Sequence, residues 1–310
     1  MSKTKDNPLT PLLEKQKATI LITDSGLGGL SICADIVERL KECPILQDVN
    51  LIYFNAWPEQ DRGYNRLESD AERIRVFDRA LVGMEPFDPD IIMIACNTLS
   101  VLYDRTEFSR RTRIPVVDIV RFGVDMIHDC LSADPDGQAV ILGTLTTIAS
   151  RVHHDWLVKK GIAPERIISQ PCDQLATWIE KDSQGDAVVS LVERFMKEAS
   201  EAVDPKIKTL YASLCCTHFG YCSALIRDHL AEYTGKDVVI LNPNRQMAAS
   251  LFKSEDGARC KKTRVGLRVV SRIAWEDRKI ASISGLVGKT SSDTATALKK
   301  YEWIPELFTF

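Results

Sequence analysis

Apolar runs bounded by turn residues recur along this chain, and stretches of helical periodicity separate them. The runs "ATILIT", "NLIYFN", "DIIMIA" and "IPVVDIV" in the first half read as buried parallel strands, as do "AVILGT", "TLYASL" and "DVVILN" in the second. Between the first two, Leu30, Cys33, Ile36, Val37 and Leu40 fall at the spacing of one apolar helix face. Strand–helix alternation of this kind predicts an α/β fold with mostly parallel sheets.

The pattern also repeats at long range. "LITDSGLGG" follows the first strand, and "ILGTLTT" follows a strand 120 residues later. From Asp24 to Cys96 is 72 residues, and from Thr144 to Cys216 is 72 again. Each half thus offers a strand, a small-polar loop, and then a strand ending in Cys-x-Thr or Cys-Thr. Two pseudo-symmetric, doubly wound lobes are expected, the first over 17–122 and the second over 123–241, with a site between them. Residues 242–310 carry a β-rich run, "RVGLRVVSRIAW", and a last helix, "SSDTATALKKY", with Ser/Asp start signals. This tail is expected to complete the first lobe.

Composition narrows the class. A chain of 310 residues suits two lobes, and 45% apolar with 27% charged residues is ordinary for a globular protein. A net charge of −3 argues against a nucleic-acid surface, so "SRRTR" and "KKTR" read as solvated faces. The polar start, read as a loose leader over residues 1 to about 16, lacks a signal-peptide apolar stretch, and no segment approaches the roughly 18 apolar residues of a membrane helix. Nine cysteines spread without a secretory signal indicate a reduced, cytoplasmic protein in which most thiols are small core side chains.

Two cysteines stand apart. "IIMIACNTLSVLY" puts Cys96 at the carboxyl end of a parallel strand and beside a helix N-terminus, where α/β proteins bind ligands and where the helix end favours a thiolate. Asn97 and Thr98 carry donors for a carboxylate. Read alone, the same residues also suit a core cysteine followed by an Asn/Thr helix cap. "ASLCCTHFGYC" delivers Cys215 and Cys216 to a corner of the same kind, with Thr217 able to cap a helix and His218 beside the thiol. Cys222, on the apolar face of the next helical pattern, reads as core. Vicinal cysteines on a strand point to opposite sides, which weakens a zinc site, and a reducing compartment disfavours a vicinal disulfide.

Other motifs are set aside on their spacing. "TDSGLGGLS" has serine where a dinucleotide fingerprint needs its third glycine, and the next strand ends without an acidic residue. Asp24 and Ser25 there suit an ammonium group and a proton relay, or an Asx-type turn. "SGLVGKTSS" has two residues, not four, between Gly285 and Gly288, so it is no phosphate loop. His153 and His154 read as helix-surface residues.

Taken together, "DSGLGG", "ACNT", "GTLTT" and "CCTH" resemble the cofactor-independent aspartate/glutamate racemase family, nearest to its glutamate racemases, over about residues 18–245. The resemblance implies two α/β lobes closing on one small amino acid, with Cys96 and Cys216 on opposite faces of Cα as base and acid. It implies that Asp24 assists Cys96, that His218 assists Cys216, and that Glu180 belongs to the second-lobe acid/base group. Ser25, Asn97, Thr98, Thr144, Thr147 and Thr217 match substrate-holding positions, and Cys215 is a spectator. It further implies no cofactor, no metal, glutamate before aspartate as substrate, D-glutamate supply for peptidoglycan, and a possible homodimer. There are departures: the Pro-Tyr-Gly loop that receives the side-chain carboxylate reads Gly63-Tyr64-Asn65 here, and a late Asp-Ser pair reads Asn242-Pro243. A related decarboxylase or isomerase of small dicarboxylates, or a binder without turnover, are the alternatives.

Overall fold

The computed structural model describes Leu12, residues 14–252 and residues 257–310; most of the expected leader lies outside these. Among the described residues ten strands form two sheets. β1 (Lys17–Asp24), β2 (Asp48–Asn55), β3 (Ile91–Ile94) and β4 (Val116–Asp118) lie in the first, with β9 (Arg264–Ser271) and β10 (Glu302–Trp303). β5 (Gln138–Gly143), β6 (Ile167–Pro171), β7 (Thr209–Cys215) and β8 (Asp237–Leu241) form the second.

The strand orders reveal the internal repeat. The first sheet runs β10-β9-β2-β1-β3-β4 and the second β6-β5-β7-β8. Removing β9 and β10 leaves the same 2-1-3-4 order in both, with every pairing parallel. β1 corresponds to β5 and β3 to β7, which is why the interval of 72 residues recurs. The tail extends the first sheet at the β2 edge, where β9 pairs with β2 along all eight residues.

The strands form where the apolar runs predict them because both faces are covered by helices, so the inner residues of β1, β3 and β5 are buried without alternation. One core lies beneath the helix Leu30–Glu42, whose Leu30, Cys33, Ile36, Val37 and Leu40 all point inward. A second core covers the opposite face of the first sheet and runs on into Ile141, Leu157 and Cys215, joining the lobes. A third belongs to the second sheet alone.

Two boundaries differ from the periodicity reading. "IPVVDIV" is a strand only over Val116–Asp118, because Asp118 caps the helix Ile119–Ala133 by accepting the Arg121 N–H at 3.3 Å. The strand β6 and the helix Asp277–Val287 were not anticipated. β6 ends in Gln-Pro and has one exposed position, so it carries little continuous apolar signal.

Candidate active site

The loops after β1, β3, β5 and β7 leave the carboxyl ends of their strands and meet between the lobes. They line a cavity of about 220 Å³ together with Trp57, Tyr64, Asn65 and Glu180. This is below the roughly 300–1,000 Å³ of sites for drug-sized ligands and suits a molecule the size of an amino acid.

Cys96 ends β3 and sits at the start of the short helix Asn97–Tyr103. Its Sγ lies 3.2 Å from Ser25 Oγ. Burial pushes the thiol up to about 12, the Asp24 carboxylate adds to the rise, and contacts with Ser25 oppose it. The expectation that the helix end would favour a thiolate is therefore corrected: loss of water outweighs one short helix. Nor does Asp24 bond to this thiol among the described residues. Its Oδ1 accepts the Gly26 N–H at 3.2 Å, and its Oδ2 accepts the Gly29 N–H at 2.7 Å and the Thr217 hydroxyl at 2.8 Å. Thr217 thus ties the second lobe to the first and caps no helix: the 3-10 turn Phe219–Cys222 starts behind His218, and the α-helix after it begins at Ser223.

The Cys216 corner is built differently. Cys216 Sγ lies 3.7 Å from His218 Nδ1, and His218 Nε2 lies 2.8 Å from Glu180 Oε1. That oxygen also accepts the Leu27 N–H at 2.7 Å, while Glu180 Oε2 pairs with Lys279 Nζ at 2.5 Å. Burial holds the Cys216 thiol well above its ordinary value, with the His218 backbone N–H pulling the other way. Burial would also raise the Glu180 carboxyl, but the Lys279 ammonium and His218 outweigh it and hold the group well below the usual carboxylate range.

The glycine run of the β1 loop has a steric reason. A Cβ on Gly28 would lie 2.3 Å from Thr217 Oγ1 and 2.7 Å from His218 Nδ1. The loop has no side chain there because the two lobes approach at that point.

The remaining polar residues point to a carboxylate pocket. Asn97 Oδ1 lies 3.1 Å from His153 Nε2, and its buried Nδ2 has no partner among the described residues. His153 is buried, which corrects its reading as a surface histidine, and burial lowers it to about 4. It is neutral at physiological pH, and its Nε2–H donates to the Asn97 carbonyl. His154 is the partly exposed member of the pair, 3.0 Å from Asp155. Three hydroxyls cluster across the lobes: Thr98 Oγ1 lies 2.8 Å from Thr144 Oγ1 and 3.3 Å from Thr147 Oγ1, with Thr144 and Thr147 3.0 Å apart. Thr98 and Thr144 line the cavity and Thr147 stands behind them. Tyr64 is buried with its hydroxyl unpartnered among the described residues, and Asn65 Oδ1 accepts the Thr146 N–H at 3.2 Å.

Cys215 packs in the core that holds Val124 and Ile141, whereas Cys216 and Cys222 belong to the second-lobe core. The vicinal thiols therefore face opposite ways, and all nine cysteines are free. Among the described residues no three His, Cys, Asp or Glu side chains converge as metal ligands. Asn242, in the altered late pair, accepts the Asn244 N–H and caps the helix Pro243–Ser250. Sequence reasoning missed His153, whose periodicity matched a surface site, and Lys279, which lies in the tail where no motif marks it. It also missed Trp57, an unmarked aromatic in the cavity wall.

No protein-family profile matches the chain. A glutamate racemase of Syntrophus aciditrophicus is 26% identical over 230 residues, covering 73% of this chain and 76% of that protein. A glutamate racemase isoform of Bacillus anthracis superposes with a TM-score of 0.66 at 21% identity, over 88% of this chain and 93% of that one. The glutamate racemase of Francisella tularensis in complex with D-glutamate gives 0.64 at 20% identity, over 89% and 95%. In sequence this chain is thus similar to glutamate racemases of the aspartate/glutamate racemase family. Its parallel two-sheet architecture is the fold of the solved glutamate racemases. Among the described residues no helix is long and apolar enough to cross a membrane.

Proposed function

We propose that this racemase interconverts L- and D-glutamate without a cofactor, moving the Cα proton between Cys96 and Cys216. Similarity to glutamate racemases supports an isomerase acting on an amino acid. The observation that carries the finer reading is the pair of buried thiols, one from each lobe, at equivalent strand ends lining one small cavity.

The chemistry follows from what racemisation demands. A proton must leave one face of Cα and another must arrive on the opposite face, so one thiol acts as thiolate base while its counterpart stays protonated as acid. At the second-lobe corner, Glu180 takes the His218 Nε2–H, which leaves Nδ1 as the acceptor facing Cys216. His218 then takes the thiol proton, and the Glu180 carboxylate steadies the imidazolium. At the first-lobe corner Ser25 is the contact, and the site's water-poor walls favour the protonated thiol until substrate charge enters. The substrate ammonium lies toward Asp24 and Ser25. The α-carboxylate lies toward the free Asn97 Nδ2 and the threonine hydroxyls, and Thr217 holds the lobes closed over it. The side-chain carboxylate is received beside Tyr64 and Asn65. Placed donors in an excluded site stabilise the carbanion.

Glutamate comes first, since the sequence relatives are named glutamate racemases, and aspartate is the second choice. Supply of D-glutamate to the cell wall, a cytoplasmic location and a homodimer belong to the same reading. Incubation with D- and L-glutamate and D- and L-aspartate in D2O tests it, with proton NMR following the Cα signal and chiral chromatography following inversion. Exchange with inversion of glutamate supports the proposal. Loss of carbon dioxide instead, or tight binding with no exchange, would replace it with the decarboxylase or binder reading.

A further inference from the structure

The second-lobe corner contains a group that the two-thiol chemistry does not require. Lys279 comes from the tail helix Asp277–Val287, which follows the strand β9 of the first sheet, yet its ammonium reaches Glu180 Oε2 at 2.5 Å. Both partners are largely withdrawn from water, with side chains 21% and 6% exposed. The ammonium also lies 5.4 Å from the centre of the Trp57 ring, and Trp57 is part of the cavity wall. Lys279 is therefore held by two cavity elements, one from each lobe.

We propose that Lys279 is a positioning residue for the second-lobe thiol, its ammonium fixing Glu180 so that Glu180 in turn aims His218 Nδ1 at Cys216. This deepens the racemase reading and rests on it for the consequence, but not for the geometry. Glu180 has two oxygens and divides them: Oε1 takes the His218 and Leu27 N–H groups, and Oε2 takes Lys279. Without the ammonium, Oε2 would be a buried, unpaired carboxylate oxygen, and the carboxylate would rotate or take up a proton. The other titratable groups near Glu180 are Tyr53 and Tyr221, both raised by burial and so neutral, together with the cavity-lining Asp24 and Cys216. Lys181, Asp182 and Arg278 on the two packed helices are exposed. Lys279 is thus the one cation among the described residues in contact with this carboxylate.

The sign of the effect follows. Removing the ammonium leaves burial opposed by His218 and the Leu27 N–H only, so Glu180 protonates at higher pH. A protonated Glu180 no longer steadies the imidazolium, so the acid limb of activity moves up in pH. The test compares Lys279→Met with Lys279→Arg by two readouts. One is the pH profile of kcat/KM for glutamate. The other is the rate at which iodoacetamide alkylates Cys216 relative to Cys96, mapped on peptides, which needs no turnover. Lys279→Met should lower kcat/KM about tenfold or more near neutrality, shift the acid limb upward and slow Cys216 alkylation selectively, and Lys279→Arg should recover most of this. If Lys279→Met lowers the melting temperature, Lys279→Gln takes its place. An unchanged profile and alkylation ratio would overturn the proposal. So would equal loss at both thiols without recovery in Lys279→Arg, which marks a merely structural contact. A wild type that is silent on glutamate but whose Cys216 reactivity still depends on Lys279 would sink the substrate reading and leave the positioning role standing.

Discussion

The two thiol corners occupy equivalent places in a repeated fold, yet their surroundings differ. Cys96 and Cys216 each end a central strand of a 2-1-3-4 sheet and each is buried. Cys96 meets a hydroxyl, Ser25, and the nearby Asp24 carboxylate disfavours its ionisation. Cys216 meets an imidazole backed by a carboxylate and an ammonium. Topology thus delivers a side chain to the site, while its chemical character comes from loops and from the tail. The repeat explains why two thiols face one cavity; it does not make them interchangeable. One corner sets an imidazole beside its thiol, and the other only a hydroxyl.

The sharpest way to break this comparison is to remove each thiol. Cys96→Ser and Cys216→Ser should each lower racemisation about a thousandfold or more, since each deletes one acid/base partner. Chiral chromatography reads the loss. The asymmetry of the corners appears in D2O, where each variant should retain Cα exchange for one enantiomer only, the opposite one in each case. Because the two enantiomers are equal in energy, kcat/KM cannot differ between directions, so the exchange experiment carries the distinction. Racemisation at a near-normal rate in either variant would end the two-thiol account.

The second largest effect is expected where the lobes touch. Gly28→Ala places a methyl group within 2.3 Å of Thr217 Oγ1 and 2.7 Å of His218 Nδ1. It should displace the second-lobe corner while sparing Ser25 and Cys96. A shift of this size costs about a hundredfold in kcat/KM when it misplaces a catalytic group. Selective loss of Cys216 alkylation, with Cys96 reactivity kept, would sharpen the contrast. Equal loss at both corners would show that the loop holds the whole cavity.

These corners were unequally legible in the sequence. Strand ends are written locally, as apolar runs closed by small polar residues, so Cys96 and Cys216 could be placed from the pattern alone. His218 is a near neighbour of Cys216 and shares that legibility. Glu180 arrives from another helix, and only the family resemblance pointed to it. Lys279 arrives from beyond the stretch that carries the resemblance, so nothing in its local sequence separates it from Lys299 or any other helix lysine. Asp24 lines the cavity, but its hydrogen-bond partners were not legible, because a carboxylate at a strand end can turn to any of several donors. Three backbone and hydroxyl donors decide the matter in the fold. Burial, too, is a property of the assembled lobes: it reversed the expected ionisation of Cys96 and moved His153 from the surface to the interior.

His153 gives the next prediction, smaller in rate but visible in stability. Its folded-state value near 4 lies below the ordinary 6.5, so the unfolded chain binds this proton first. Stability is then unaffected above pH 6.5 and falls as pH drops from 6.5 toward 4, by about 3 kcal/mol across that window. His153→Leu should flatten that slope in urea titrations. It also strands the Asn97 carbonyl and frees the amide to turn, so KM should rise about tenfold with a smaller change in kcat. His153→Gln, which keeps a donor, should recover KM without restoring the slope. A slope that survives in both variants would place the acid sensitivity elsewhere.

The smallest effect is the one that separates the neighbours Cys215 and Cys216. Both residues line the cavity, but Cys215 packs into the core shared by the lobes and Cys216 into the core of the second lobe. Cys215 is held up to about 12 by burial, with only Ser213 nearby at 3.4 Å to oppose it. Nothing there accepts its proton at a useful pH. Cys215→Ala should therefore keep kcat/KM within about threefold and cost roughly 1 kcal/mol from the space left behind. A loss as deep as that of Cys216→Ser would mean that β7 can slip by one residue and present either thiol. That would place the difference between the two corners in the register of this strand, and its partners His218, Glu180 and Lys279 would then serve to lock that register as much as to move a proton.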